Sequence, residues 1–306
     1  MAFNVARNRF MEQIVRLAEE GEDVVLVTAD LAAPALDSFR EKFPERYVSV
    51  GIAEQNLISV ASGIALDGKK TIAYAANPFT ITRAYDQIRN LVSVMEIPLC
   101  IVGVGAGFHI PEYGATHCVT DDLAMVQMCP GVEIYNVSDV SLAEWLGREF
   151  VKLKKPTYIR FDRMTEQNVS LKPEKVESGF RVLNYGDGEV AVIATGNLGT
   201  EYFVNYQEDV KQRKITYIDV YKFPYDKEGL LEEVKSCKRI ITLDESNLVN
   251  GFGQQMIELI NQKGIRDVEI VQKAIEYNGA FPNYFGSRDY MLEVYGLQWK
   301  DILSCC

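Results

Sequence analysis

The sequence predicts an α/β protein of two doubly wound domains with mostly parallel sheets. Three observations carry this. Short apolar runs rich in β-branched residues alternate with helix-period stretches, the pattern of strands joined by helical crossovers. The alternation lapses around residues 165–188 into polar residues and turns, and then resumes. The chain has 306 residues, enough for two domains of ordinary size. The boundary is expected near residue 180, giving domains 1–178 and 179–306, with no internal repeat and no low-complexity tract.

In chain order, residues 8–20 read as an amphipathic helix with Phe10, Ile14, Leu17 and Ala18 on one face. Val24–Thr28 is a buried strand that ends at Ala29-Asp30. In Tyr47–Asn56 an apolar run stops at Gly51, and a helix starts near Glu54, with Leu57, Ile58, Ala61, Ile64 and Ala65 on one face. Thr71–Ala75 reads as a strand, a helix follows over 80–95, and Pro98–Val104 is the next strand. A loop with Gly and Pro spans 105–116, a helix 119–128, and strands lie near 132–137 and 157–161. The second series runs through Val190–Thr195, Ile215–Val220, Arg239–Leu243 and Val268–Val271.

Composition removes several function classes. A hydrophobic content of 47% with 25% charged residues describes a soluble globular chain. The formal net charge of -11 argues against nucleic acid or an anionic membrane as the main partner, while leaving room for a small anionic ligand in a local Arg pocket. No apolar run approaches a membrane span. The six cysteines show neither CxxC nor metal-type spacing, and no secretory signal opens the chain, so reduced thiols in the cytoplasm are expected. The adjacent Cys305 and Cys306 read as part of a frayed tail. Both histidines, His109 and His117, fall in one loop.

Glu54 is the most informative residue. A carboxylate where a strand turns into a helix is aimed by rigid elements, although a first-turn Glu can also simply complement the helix dipole. Two glycine clusters are decoys. Gly103-Val-Gly-Ala-Gly107 lacks GxGxxG spacing and reads as a loop needing close backbone approach. Gly186-Asp-Gly188 precedes a strand and reads as a turn.

Together the motifs resemble the C-terminal half of a transketolase. Gly51-Ile-Ala-Glu-Gln55 resembles that superfamily's Gly-x-x-Glu-His/Gln signature, and Gly114-Ala-Thr-His117 its Gly-Pro-Thr-His loop. Arg83-Ala-Tyr-Asp-Gln87 is similar to the related deoxyxylulose-phosphate synthases, and Asp244-Glu-Ser-Asn with Gly251-Phe-Gly253 to the family's C-terminal domain. The resemblance covers essentially the whole chain, as a pyrimidine-binding domain followed by a transketolase C-terminal-like domain. The family's N-terminal domain, which grips the cofactor diphosphate and its Mg2+ or Ca2+, has no counterpart. The resemblance therefore implies a split enzyme with that domain on a separate subunit, in an α2β2 assembly with sites shared across a homodimer contact.

The implied cofactor is thiamine diphosphate, whose reactive tautomer is promoted by a carboxyl group at N1' of its aminopyrimidine, the role assigned to Glu54. Phe79 and Tyr85 are the implied ring walls, with Thr82 between them where transketolases carry another aromatic. His117 matches the loop histidine directed at the substrate's reacting oxygens. Arg7 and Arg163 fall on positions that hold a sugar phosphate, and Asp30 on an acid at a strand end near the subunit contact. No metal ligand is expected on this chain.

Three departures bear on the substrate. Pro34 stands where a phosphate-binding Ser is usual, Gly105 where a second loop His is usual, and Tyr113 in place of an Asp that reads hydroxyl stereochemistry. The resemblance thus implies two-carbon ketol transfer from a ketose to an aldose, on a phosphorylated or otherwise anionic, non-standard sugar. The competing readings are the β subunit of a 2-oxo acid dehydrogenase, a deoxyxylulose-phosphate synthase-like carboligase, and a non-catalytic scaffold.

Overall fold

The computed structural model describes residues 5–29, 33–162, 166–277, 279 and 285–306, and they divide into two compact units. One comprises Met1–Ala106 with Asp122–Asn168, the other Gly107–Asp121 with Val169–Cys306. The stretch at 107–121, which lies in the first half of the sequence, thus belongs to the second unit.

In the first unit the apolar runs become β1 (Val24–Thr28), β2 (Tyr47–Ser49), β3 (Lys70–Ala76), β4 (Cys100–Val104), β5 (Glu133–Val137) and β6 (Thr157–Phe161). They pair in parallel in the order β5-β6-β4-β3-β1-β2. Strands β1, β4 and β6 are buried along their whole length, which is why they read as unbroken apolar runs. The order reverses between β1 and β3, since β1 leads to β2 on one side and β2 to β3 on the other. In open α/β sheets, ligands bind beyond the carboxyl ends of the strands at such a reversal.

Helix α1 (Val5–Glu19) starts earlier than its expected 8–20 and buries Phe10, Ile14 and Ala18, with the Phe10 ring 5.7 Å from that of Phe161. Helix α2 covers Asp37–Lys42, and α3 covers Glu54–Leu66 with Leu57, Ile58, Ala61 and Ala65 buried as the periodicity demands. The continuous helix expected over 80–95 is instead a π-helical turn at Pro78–Arg83, a short α turn at Tyr85–Gln87 and a second π segment at Ile88–Ser93. Local hydrogen bonds accompany the break: the Thr80 hydroxyl donates to the Ala76 carbonyl at 2.9 Å and the Thr82 hydroxyl to the Pro78 carbonyl, back-bonds of the kind that bend helices. Such π turns concentrate at functional sites.

A fully buried polar network ties the strand ends together. The Asn77 amide donates to Asp122 at 2.7 Å, the Tyr158 hydroxyl to Asp122 at 2.6 Å, and Arg160 reaches Asp122 at 2.8 and 3.2 Å and Asn136 at 3.1 Å. Burial alone would raise the Asp122 carboxyl, but the Arg160 charge and these donors hold it below its ordinary value. Gly103 makes room for the network, because a Cβ there would lie 2.4 Å from Asn77 Oδ1. The sequence reading of a close backbone approach is met at this glycine. Gly103→Ala is expected to cost about 1–3 kcal/mol of stability, read as a lower denaturant midpoint at unchanged slope.

The second unit contains β7 (Phe180–Asn184), β8 (Val190–Thr195), β9 (Thr216–Val220), β10 (Arg239–Asn247) and β11 (Glu269–Ile275). Their order is β11-β10-β8-β9-β7, parallel except for β7, which runs antiparallel to β9. β7 falls inside the stretch read as a polar lapse. An edge strand with only Phe180 buried leaves almost no apolar pattern to read. Gly186-Asp-Gly188 is the turn it resembles, and a Cβ on Gly186 would lie 2.0 Å from the Lys214 carbonyl oxygen. Cys305 and Cys306 are not frayed. They pack half-buried against the second unit's core, where Arg239 donates to the Cys305 carbonyl at 2.9 Å and burial pushes the Cys306 thiol up. Among the described residues, no helix is long and apolar enough to cross a membrane.

Candidate active site

Beyond β2 the Val50 N–H still donates to the Thr28 carbonyl at 3.0 Å. Gly51 then turns the chain with φ 73°, a conformation that suits glycine. α3 begins at Glu54, with Ala53 before it offering no side-chain cap. The carboxylate of Glu54 therefore sits in the first turn of a helix whose dipole favours it.

Glu54 is only 3% exposed, and a buried charge needs a partner. The partner is Arg83, whose Nη1 lies 2.5 Å from Glu54 Oε2. The Arg83 guanidinium in turn lies over the Phe79 ring, 4.6 Å from its centroid, at cation–π distance. Among the described residues, Oε1 of Glu54 has no hydrogen-bond partner. The cluster thus presents a carboxylate anchored at one oxygen and available at the other. Sequence reasoning picked out Glu54 and Phe79 and passed over Arg83 as a site residue, although it opens the Arg83–Gln87 motif. Phe79 and Arg83 stand four residues apart in the helical turn, the spacing at which side chains become neighbours.

The other sequence candidates lie as follows. Thr82 is exposed, its hydroxyl spent on the Pro78 carbonyl. Tyr85 is half-buried against Cys129, and burial and that thiol raise its hydroxyl above the ordinary phenol range. Arg7, on α1, donates to Asn8 Oδ1 at 3.1 Å and lies near the buried Tyr74 hydroxyl, which burial pushes up to about 12 against the pull of Arg7. Pro34 is exposed and starts a single 3-10 turn, and Gly105 donates its N–H to the Phe161 carbonyl. Asp30 and Arg163 lie outside the described residues.

His117 belongs to the second unit, at the end of a short 3-10 segment, Pro111–Thr116. Its Nδ1 is 2.9 Å from the Thr116 hydroxyl, and its ring is 5.1 Å from that of the exposed Tyr113. Gly114, which opens the loop motif, packs so tightly that a Cβ would lie 2.5 Å from the Phe285 ring. Among the described residues, no group of three or more His, Cys, Asp or Glu side chains gathers as a metal site.

Comparison with known proteins bears on the family. The transketolase pyrimidine-binding domain model matches residues 5–167. The 1-deoxy-D-xylulose-5-phosphate synthase of Clostridium perfringens is 29% identical over 299 residues, covering 96% of this chain and 47% of that protein, so the chain spans about half that relative's length. An apulose-4-phosphate transketolase subunit of Actinobacillus succinogenes is 29% identical over 262 residues, 84% of either chain. A solved structure described as a split gene transketolase, inactive β4 tetramer, matches with a TM-score of 0.83 at 25% identity, covering 98% of this chain and 96% of that one. With residues 5–167 of its 306 so matched, this chain belongs to the transketolase pyrimidine-binding domain family.

Proposed function

We propose that this chain is the C-terminal half of a split transketolase, moving a two-carbon ketol unit from a ketose to an aldose with thiamine diphosphate. The observation that carries the reading is the buried Glu54 carboxylate, fixed at Oε2 by Arg83 and, among the described residues, unpartnered at Oε1. These residues fit the implied cofactor: an aminopyrimidine offers a ring nitrogen to the open carboxyl oxygen and a flat face to the half-buried Phe79. When bound, thiamine diphosphate supplies a carbon nucleophile and an electron sink for the ketol fragment.

The chain's own residues then have distinct tasks. Glu54 holds a proton at the pyrimidine ring nitrogen, and Arg83 keeps the carboxylate aimed. Phe79 and Tyr85 bound the ring, with Thr82 leaving the stack thinner. His117 passes a proton or polarises a carbonyl at the substrate. Arg7, Asp30 and Arg163 are the candidates for holding the sugar and its anionic end. His117→Ala in the assembled enzyme is expected to lower kcat about 100-fold with cofactor affinity unchanged, as steady-state kinetics and a cofactor titration would show.

The site is completed by a second polypeptide carrying the diphosphate grip and its Mg2+ or Ca2+, in an α2β2 assembly in the cytoplasm. The Actinobacillus relative, described as one subunit of a transketolase, supports a separate partner, and the β4 tetramer described as inactive supports dependence on it. The surface of α3 adds to this. Its open face, Gln55, Asn56, Ser59, Gly63 and Leu66, carries no charge, with Leu66 59% exposed and Ile52 just ahead of the helix 75% exposed. A helix face bound for water normally carries charged residues. Copurification from the native host is the test. A stoichiometric partner with which the chain gains ketol transfer supports the reading, and a lone homodimer that binds no thiamine diphosphate with added metal overturns it. The Arg83–Gln87 motif and the Clostridium relative favour a deoxyxylulose-phosphate synthase-like carboligase as the second reading, distinguished by CO2 release from pyruvate.

A further inference from the structure

The loop that carries His117 is built into the second unit at a specific seat. Phe108 is fully buried in that unit's core with Val192, Ala194 and Leu243, and its ring stacks on Tyr295 at 5.4 Å. The Phe108 N–H donates to Glu245 Oε1 at 2.8 Å. Gly107, at φ 60°, lies so close that a Cβ would meet the same oxygen at 2.8 Å. At the far end of the loop, the Asn247 N–H donates to the Thr120 carbonyl at 2.6 Å, and the Thr120 hydroxyl lies 2.6 Å from that of Tyr277.

Glu245 is the hub of this seat. It lies at the carboxyl end of β10, is nearly fully buried, and is held by Arg288 Nη2 at 2.6 Å and Nε at 3.3 Å. Arg288 is braced in turn by Glu201 at 3.1 Å. The Glu245 charge is felt in the loop, where after burial it and Glu112 push the Cys118 thiol up to about 11. The β8–β10 pair is the reversal point of this sheet, because β8 leads to β9 on one side and β9 to β10 on the other. In such sheets that is where a ligand sits. Here the sheet end carrying Glu245 and Asn247 grips a loop of the same chain.

We propose that Glu245 and Arg288 are positioning residues that seat the His117 loop, and that holding this loop is a task of the second domain. The proposal rests on the reading of His117 as a substrate-handling residue. Glu245 touches the loop's backbone and acts on the reaction only through it. An ionised acceptor makes a stronger hydrogen bond than a neutral one and, once removed, leaves a buried N–H unsatisfied.

The test joins amide hydrogen exchange on the chain with kinetics of the assembled enzyme, for Glu245→Leu, Glu245→Gln and Gly107→Ala. Glu245→Leu is expected to lower protection of the Phe108 and Asn247 amides roughly 10- to 100-fold while β8 and β9 keep theirs. It should also lower kcat at least about tenfold with cofactor affinity unchanged. Glu245→Gln, which keeps the acceptor and loses the charge, should fall between it and the wild type. Gly107→Ala presses the loop off the carboxylate without altering Glu245, so it covers the case in which Glu245→Leu fails to fold. Unchanged loop protection in Gly107→Ala and Glu245→Leu overturns the proposal, as does lost protection with unchanged kcat. If the wild-type complex transfers no ketol unit, the transketolase reading fails, and the exchange measurement still decides the seat.

Discussion

Glu54→Gln should leave the protein folded and assembled and remove nearly all turnover, by about 100- to 10,000-fold in kcat. The substitution is isosteric, so the packing of α3 is preserved. Arg83 loses its charge partner but is 45% exposed on its side chain, so water compensates its guanidinium. What disappears is the capacity of that position to exchange a proton with a ring nitrogen. Size-exclusion chromatography checks assembly, and a ketol-transfer assay on the complex checks the rate. Turnover at the wild-type level would sink the assignment of Glu54 as the cofactor's proton partner.

The largest stability effect is expected from Asp122→Asn. Nothing changes in volume, so the cost is electrostatic: Arg160, 3% exposed, is left as a buried cation facing a neutral amide. Breaking such a pair costs about 3–5 kcal/mol, which for a unit of this size lowers Tm by roughly 10 °C. The pH dependence has a definite sign. The Asp122 carboxyl is held below its ordinary value in the folded state. Its contribution is therefore present above the unfolded value near 4 and is lost as pH falls through the folded value. Acid titration of stability should show a shallower decline below about pH 4 in the variant than in the wild type. Equal slopes, or a loss under about 1 kcal/mol at neutral pH, would show the pair to be incidental.

The parts of the fold that sequence reveals are those where burial dictates composition. β1, β4 and β6 are buried end to end, and their apolar runs place them to within a residue or two. β7 escapes because an edge strand needs little apolar surface. The broken segment at 78–93 escapes for a different reason. Its residues keep a helix-like apolar spacing, and the Thr80 and Thr82 back-bonds that accompany its first π turn leave no mark on that spacing. At the site, Glu54 is legible because a carboxylate at a strand-to-helix turn is locally conspicuous. Arg83 is not, since an arginine in a helical stretch reads as solvated charge until the fold sets it against Phe79 and Glu54. The loop's dependence on Glu245 is illegible in principle, because the two lie 137 positions apart along the chain.

That dependence bears on modularity. A chain whose first unit is Met1–Ala106 with Asp122–Asn168 passes out of it, back into it and out again. No single peptide bond separates its halves. Cleaved near residue 178, the upstream fragment would carry residues 107–121 without the core that swallows Phe108, and the downstream fragment would expose that socket. Inheritance of the second domain therefore means inheritance of the loop with it, so recombination between relatives preserves function only where both are exchanged as one cassette.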